Sequence, residues 1–113
     1  MTVQRISPAY PAENLTAAVE LLTALIGAPT VVDGDRFAQF DSGGVRIMLA
    51  GTDRDESSPF LAVKVDDLDV TLNDLRTKGF QVGDPVRGPH ERRATVQLPG
   101  ESAWHISVYE PAG

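Results

Sequence analysis

The sequence contains no cysteine, which excludes disulfides and thiolate metal sites and fits a reducing, cytoplasmic environment. No apolar run approaches the roughly 20 residues that a membrane helix requires. The first ten residues, MTVQRISPAY, lack the apolar segment of a secretory signal. Basic residues are few as well, with 10 Lys and Arg against 16 Asp and Glu, for a net charge of −6. This balance argues against a nucleic-acid partner, which needs clusters of Lys and Arg, and mildly favours a neutral or cationic one.

At 113 residues the chain is expected to form one domain spanning 1–113. Its clearest pattern begins at Phe60–Val65, where apolar residues alternate as in a half-buried strand. A helix is predicted over Leu68–Lys78. Asp66 and Asp67 precede it as candidate N-caps, and helix capping explains these carboxylates better than a catalytic cluster does. Gly79 follows at the position where a left-handed residue ends a helix.

The same order of elements occurs earlier in the chain. A strand is predicted over Val3–Ala9, and a helix from Glu13 or Asn14 until Gly27 ends it. One apolar stripe at helical spacing follows this helix: Leu15, Ala18, Val19, Leu22, Leu25 and Ile26. The remaining strands are predicted at Thr30–Val32, Arg36–Phe40, Val45–Ala50, Phe80–Val82, Ala94–Leu98 and Trp104–Tyr109. The polar stretch 51–59 is interpreted as a linker. The sequence therefore predicts two βαβββ modules, over residues 1–50 and 60–111.

A single βαβββ module cannot bury both its helix stripe and its sheet. Two modules side by side achieve this in an α+β fold, with a curved mixed sheet and helices on its convex face. The concave face would then form a ligand cup, where we expect the function to reside.

Three segments carry a family resemblance: NLTAAVELLTALIG at 14–27, VDDLDVTLNDLRTKGF at 65–80 and HISVYEP at 105–111. With them the chain resembles the vicinal oxygen chelate superfamily of glyoxalases, bleomycin-resistance proteins and extradiol dioxygenases. The resemblance covers nearly the whole chain. It implies paired βαβββ modules and a homodimer.

The resemblance also bears on metal binding. Enzymes of this superfamily commonly hold a divalent metal in the cup through His, Glu or Gln at four strand positions. Those positions correspond here to Ser7, Met48, Phe60 and Ser107. None is a good ligand for a hard or borderline cation. We therefore expect no metal and no cofactor.

The leading functional prediction is a small-molecule binding protein of the bleomycin-resistance type, which sequesters a drug or natural product, aromatic or cationic in character. Met48 and Phe60 would provide an apolar floor. The remaining predicted ligand-binding residues are polar: Ser7, Arg46, Lys64, Arg92, His105 and Ser107. Arg92 falls in the stretch 90–93, which is interpreted as a lip that grips the ligand or as a solvated loop.

Two other classes of function stay open. The first is a lyase, isomerase or dioxygenase-like enzyme that uses a displaced metal site at His105 or His90, or His105 alone as an acid–base group. The second is an interaction domain whose cup is filled by its own side chains.

Trp104 alternates with Ile106 and Val108 in the sequence, so we expect it on the helix-facing side of the last strand.

Overall fold

The computed structural model describes residues 2–52, 57–100 and 103–111. It is α+β, as predicted, and repeats the order βαβββ. The elements are β1 (Val3–Pro11), α1 (Leu15–Ile26), β2 (Val31–Asp33), β3 (Phe37–Ser42), β4 (Val45–Ala50), β5 (Phe60–Val65), α2 (Leu68–Thr77), β6 (Val86–Arg87), β7 (Glu91–Val96) and β8 (His105–Pro111). Within the described ranges, no helix is long and apolar enough to cross a membrane.

The chain divides into two compact units. The N-terminal unit comprises residues 7–59, and the C-terminal unit comprises residues 1–6 with 60–113. Strand β1 contributes residues to both units. In the predicted linker, residues 53–56 lie outside the described residues.

In the N-terminal unit the strands are ordered β2-β3-β4-β1. Strand β1 is parallel to β4, and the other neighbours are antiparallel, which makes the sheet mixed. The first turns of α1 cover one face through Leu15, Ala18, Val19 and Leu22, as the apolar stripe predicts. The end of the helix differs from this expectation, because Leu25 is 69% exposed.

The C-terminal unit has the strand order β5-β8-β7-β6, with β5 parallel to β8. Side chains alternate between the two faces of a strand. One face packs against α2 and holds the buried core of Val65, Leu68, Leu72, Ala94, Val96 and Val108. The side chains that alternate with these strand residues form the opposite surface of the same sheet, which we call the helix-free face.

The start of α2 confirms the capping interpretation. Asp67 is the N-cap, and its side chain accepts a hydrogen bond from the N–H of Val70 at 3.1 Å. The neighbouring carboxylate differs, because Asp66 accepts from the N–H of Thr2 at 3.1 Å. At the other end Gly79 has φ +89°, the left-handed conformation that its position predicts.

Three predictions for the second half of the C-terminal unit are wrong. Among the described residues Val82 forms only an isolated bridge to Val96, and the second strand of the module is β6, at Val86–Arg87. Strand β7 begins at Glu91, so the loop interpretation of 90–93 is wrong for residues 91–93. Trp104 precedes β8 and is 40% exposed, so its predicted place inside the strand is also wrong.

Candidate functional site

Phe60 and His105 form an aromatic pair on the helix-free face of the C-terminal unit. They are register partners on the parallel strands β5 and β8. Their rings stack, with centroids 5.3 Å apart and an interplanar angle of 24°. The His105 residue is 3% exposed, whereas Phe60 is half-buried. The buried imidazole therefore supports a phenyl ring that stays partly accessible.

Small side chains follow this pair along the strands. Ala62 is the register partner of Ser107, and both are buried, at 3% and 7% exposure. The next pair on the same face, Lys64 and Tyr109, is large again. The predicted site residues Phe60, Lys64, His105 and Ser107 thus share one face, because they are separated by even numbers of residues or paired in register.

A charged pair lies on strand β7 of the same face. Glu91 and Arg93 are two residues apart, and their side chains form an ion pair at 2.5 Å with 17% and 15% of the side chain exposed. Gly88 leaves the space that the pair uses, since a Cβ there would lie 2.6 Å from Arg93 Nη1 and from Glu91 Oε1. Both residues belong to the stretch 90–93, which is interpreted from the sequence as a lip or a loop because the strand is expected to begin at Ala94. The alternation of Glu91, Arg93 and Thr95 was the available signal.

Arg92 alternates with Arg93 and therefore projects from the helix-facing side. Its guanidinium donates to Asp69 at 3.1 Å and to Glu110 at 2.8 Å. The carboxylate of Glu110 also accepts the N–H of Leu68 at 2.8 Å, so this network holds the beginning of α2. The hydrogen bond from Arg92, with the attraction of its charge, lowers the pKa of Asp69. Arg92 does not share a face with the other predicted site residues of this unit.

In the N-terminal unit, the predicted site residues Ser7, Met48 and Arg46 lie on the side of the sheet away from α1. Ala9 is the parallel register partner of Met48. Ser7 lies two residues before Ala9 and Arg46 two residues before Met48, so their side chains project from the same face. Ser7 is fully buried, and among the described residues its Oγ has no hydrogen-bond partner. A buried hydroxyl without a partner is costly, and a bound polar group could pair with this oxygen only if neighbouring side chains moved to expose it.

Arg46 is already engaged by a carboxylate. Its Nε donates to Asp41 Oδ1 at 3.0 Å. This hydrogen bond, together with one from Thr30, lowers the pKa of Asp41 below its ordinary value. Arg46 therefore brings a neutralised ion pair rather than a free charge to its face.

The residues at the four metal-ligand positions do not fit a divalent metal. Ser7 and Ser107 offer neutral hydroxyls, Met48 a thioether and Phe60 no donor atom. Divalent ions of this fold require imidazole nitrogen or carboxylate oxygen. Within the part of the chain that the structure describes, no three His, Asp or Glu side chains are grouped closely enough to hold a metal ion.

The helix-free face of the C-terminal unit therefore combines three chemical properties. It has a partly accessible aromatic ring backed by a buried imidazole, a buried hydroxyl beside them, and the cationic nitrogen of Lys64, whereas the charge of Arg93 is neutralised by Glu91. Such a surface can stack a planar ring and orient its polar substituents. It requires no bond to a metal for this.

Three solved structures share the architecture. NAD-dependent benzaldehyde dehydrogenase from Legionella pneumophila has a TM-score of 0.82 and 14% identity, covering 96% of this chain and 100% of that chain. A glyoxalase/bleomycin resistance protein/dioxygenase superfamily member from Vibrio splendidus has a TM-score of 0.66 and 14% identity, covering 98% and 100%. Methylmalonyl-CoA epimerase from Mycobacterium tuberculosis has a TM-score of 0.61 and 21% identity, covering 98% and 88%.

No protein-family model matches the sequence, and no curated protein matches it. Identities of 14% to 21% establish a common fold and leave the activity open. The chain has the vicinal oxygen chelate fold, as the sequence resemblance predicts.

Proposed function

We propose that this protein is a metal-free small-molecule binding protein of the bleomycin-resistance type, which sequesters an aromatic drug or natural product. The ligand would stack on Phe60 at the helix-free face of the C-terminal unit. Function would consist of binding alone, with the ligand released chemically unchanged. The resemblance adds a homodimer to this proposal, which sedimentation of the purified chain tests, and the lack of cysteine is consistent with a cytoplasmic location.

The observation that carries the proposal is the Phe60–His105 stack. Phe60 is half-buried, so its position is fixed while part of the ring stays accessible. Stacked aromatic pairs contribute about 0.5–1.5 kcal/mol beyond the area they bury. A planar ligand would add a further ring to a pair whose geometry is already set, and this reduces the entropy cost of binding.

Polar groups beside the stack supply orientation. The hydroxyl of Ser107 is buried next to His105, where a hydrogen bond to a ligand competes little with water. Lys64 lies on the same face, at the far side of the small Ala62. The acidic total charge of −6 would favour the approach of a cationic compound over long distance.

A screen by thermal shift tests the proposal. The metal-stripped protein is heated with bleomycin, with the planar cation doxorubicin and with uncharged aromatic natural products. A compound that binds the folded state alone raises Tm in a concentration-dependent way. We expect at least one aromatic compound to do so in the presence of EDTA, and to be recovered unchanged by mass spectrometry.

The site is tested with a matched pair of variants. Phe60→Leu removes the ring at the proposed site and keeps an apolar side chain. Phe80→Leu makes the same change at another partly exposed phenylalanine of this unit, which lines the α2 side. We expect about a tenfold loss of affinity in Phe60→Leu, as one stacking contact implies, and little change in Phe80→Leu.

Two results would overturn the proposal. Equal loss in both variants would show that the compound does not stack on Phe60. Conversion of the compound into a product, abolished in a folded His105→Ala variant, would establish the enzymatic alternative, in which the buried imidazole moves a proton.

A further inference from the structure

The C-terminal unit contains a second candidate site on the opposite side of its sheet. A cavity of about 310 Å³ lies between α2, the helix-facing side of β5 and β8, and the segment 97–99. Val63 and Ile106 line it from the strands and Leu75 from the helix. These residues alternate with those of the helix-free face, so the sheet itself separates the cavity from the Phe60–His105 stack.

The lining is almost wholly apolar. Among the described residues that line it, only Thr71 and Gln97 have polar side chains. The hydroxyl of Thr71 already donates to the backbone carbonyl of Asp67 at 2.8 Å. A buried water needs two to four polar partners, so water is a poor occupant of this space.

The cavity is partly open to solvent, and its apolar lining is unfilled. Unfilled apolar space forfeits dispersion contacts along its lining. A dry apolar cavity of about 150 Å³ accommodates benzene. By this measure a cavity of about 310 Å³ has room for roughly two fused or linked rings.

The entrance is apolar too. Phe80 and Val3 line the cavity and are nevertheless 43% and 47% exposed, which places both at its mouth. The N–H of Phe80 donates to the carbonyl of Leu75 at 3.1 Å, directly after Gly79 in its left-handed conformation. The end of α2 thus fixes the backbone that carries the ring at the mouth.

We propose that this cavity binds a neutral, uncharged compound of one or two aromatic rings, independently of the ligand of the helix-free face. The compound enters past Phe80 and is held by apolar burial against Val63, Leu75 and Ile106. An ionised ligand is disfavoured, because the described part of the lining offers no charged partner to offset its desolvation.

The test uses N-phenyl-1-naphthylamine, a neutral dye of suitable size that fluoresces in apolar surroundings. We expect saturable binding of one dye per chain by the full-length protein, and displacement by naphthalene. Methyl NOEs from the bound dye should reach Val63, Leu75 and Ile106. A naphthalene sulfonate of similar size should bind at least tenfold more weakly.

Variants separate the two sites. Ile106→Phe fills the cavity and Phe80→Ala opens its mouth, and each should weaken the dye about tenfold or more. Phe60→Leu, on the helix-free face, should leave dye binding unchanged. Phe80→Ala changes a partly exposed side chain, so it keeps the test valid if Ile106→Phe overpacks the core.

Three results would overturn the inference: no saturable dye binding, dye binding that is lost in Phe60→Leu, and NOEs confined to residues outside the cavity. None of them counts against the proposed function, which depends on the other face of the sheet, and dye binding lost in Phe60→Leu would support it. Failure of the drug screen would likewise leave this test intact.

Discussion

His105 lies directly opposite Phe60 in the parallel register of β5 and β8, and its buried imidazole stacks on the phenyl ring at 5.3 Å between centroids. The two residues are 45 positions apart in the sequence, and only the pairing of the strands brings them together. The histidine can therefore act as a structural support for an aromatic platform; the alternative role is that of an acid–base group in catalysis.

Substitutions at His105 distinguish these two roles. His105→Phe keeps a ring against Phe60, whereas His105→Ala removes it. If the imidazole serves as a support, His105→Phe should retain the affinity for an aromatic ligand, and His105→Ala should lose about as much as Phe60→Leu, roughly tenfold. Calorimetric titration of the compound found by the screen gives these affinities. Equal loss in both variants would contradict the supporting role.

The N-cap of α2 should contribute measurably to stability. Asp67→Ala removes the acceptor of the Val70 N–H, so we expect a loss of about 1 kcal/mol in the free energy of unfolding. Asp74→Ala is the matched control in the same helix, because Asp74 forms only an exposed pair with Lys78 at 3.4 Å. That variant should lose less than about 0.5 kcal/mol in urea unfolding. Equal losses would contradict the assignment of the cap.

Two arginine–aspartate pairs predict reciprocal changes in pKa. Arg92→Gln should raise the lowered pKa of Asp69 towards its ordinary value and leave Asp41 unchanged. Arg46→Gln should do the reverse. Carboxyl carbon shifts followed by NMR during an acid titration measure both groups, and each variant is the control for the other.

The same pairs fix the sign of the pH dependence of stability. A carboxyl whose pKa is lower in the folded state stabilises the fold above its unfolded pKa, and this contribution is lost as pH falls through the folded value. Wild-type stability should therefore decline with acidification more steeply than that of Arg92→Gln. Urea unfolding at a series of pH values below neutrality tests this. A steeper decline in the variant would contradict the ion pair.

Local signals were sufficient for some elements of the fold. Strand β5 spans Phe60–Val65 as the alternation predicts, and Asp67 caps the helix that follows. Strand β7 was predicted three residues too late, because Glu91-Arg92-Arg93 has little strand propensity. There a cross-strand contact decides, since Arg92 on β7 pairs with Glu110 on β8. A contact between residues so far apart in the sequence is invisible in a local window.

The candidate site shows the same limit. Alternation alone placed His105 and Ser107 on a common face, and this follows from the period of a strand. The stacking of His105 on Phe60 depends on the register of β5 and β8, and the Glu91–Arg93 pair uses the space that Gly88 leaves. The sequence reveals neither relationship. The apolar cavity beneath α2 was also not predicted, since its lining residues read as ordinary core.

The most direct test of the central claim, ring binding without a metal, is a calorimetric titration of the metal-stripped protein with Zn²⁺, Ni²⁺, Mn²⁺, Co²⁺ and Fe²⁺, with bound metal measured after dialysis. Because Ser7, Met48, Phe60 and Ser107 supply neither imidazole nor carboxylate, we predict no stoichiometric uptake of any of these ions. Tight binding of one ion per chain that disappears in a folded His105→Ala variant would contradict the account.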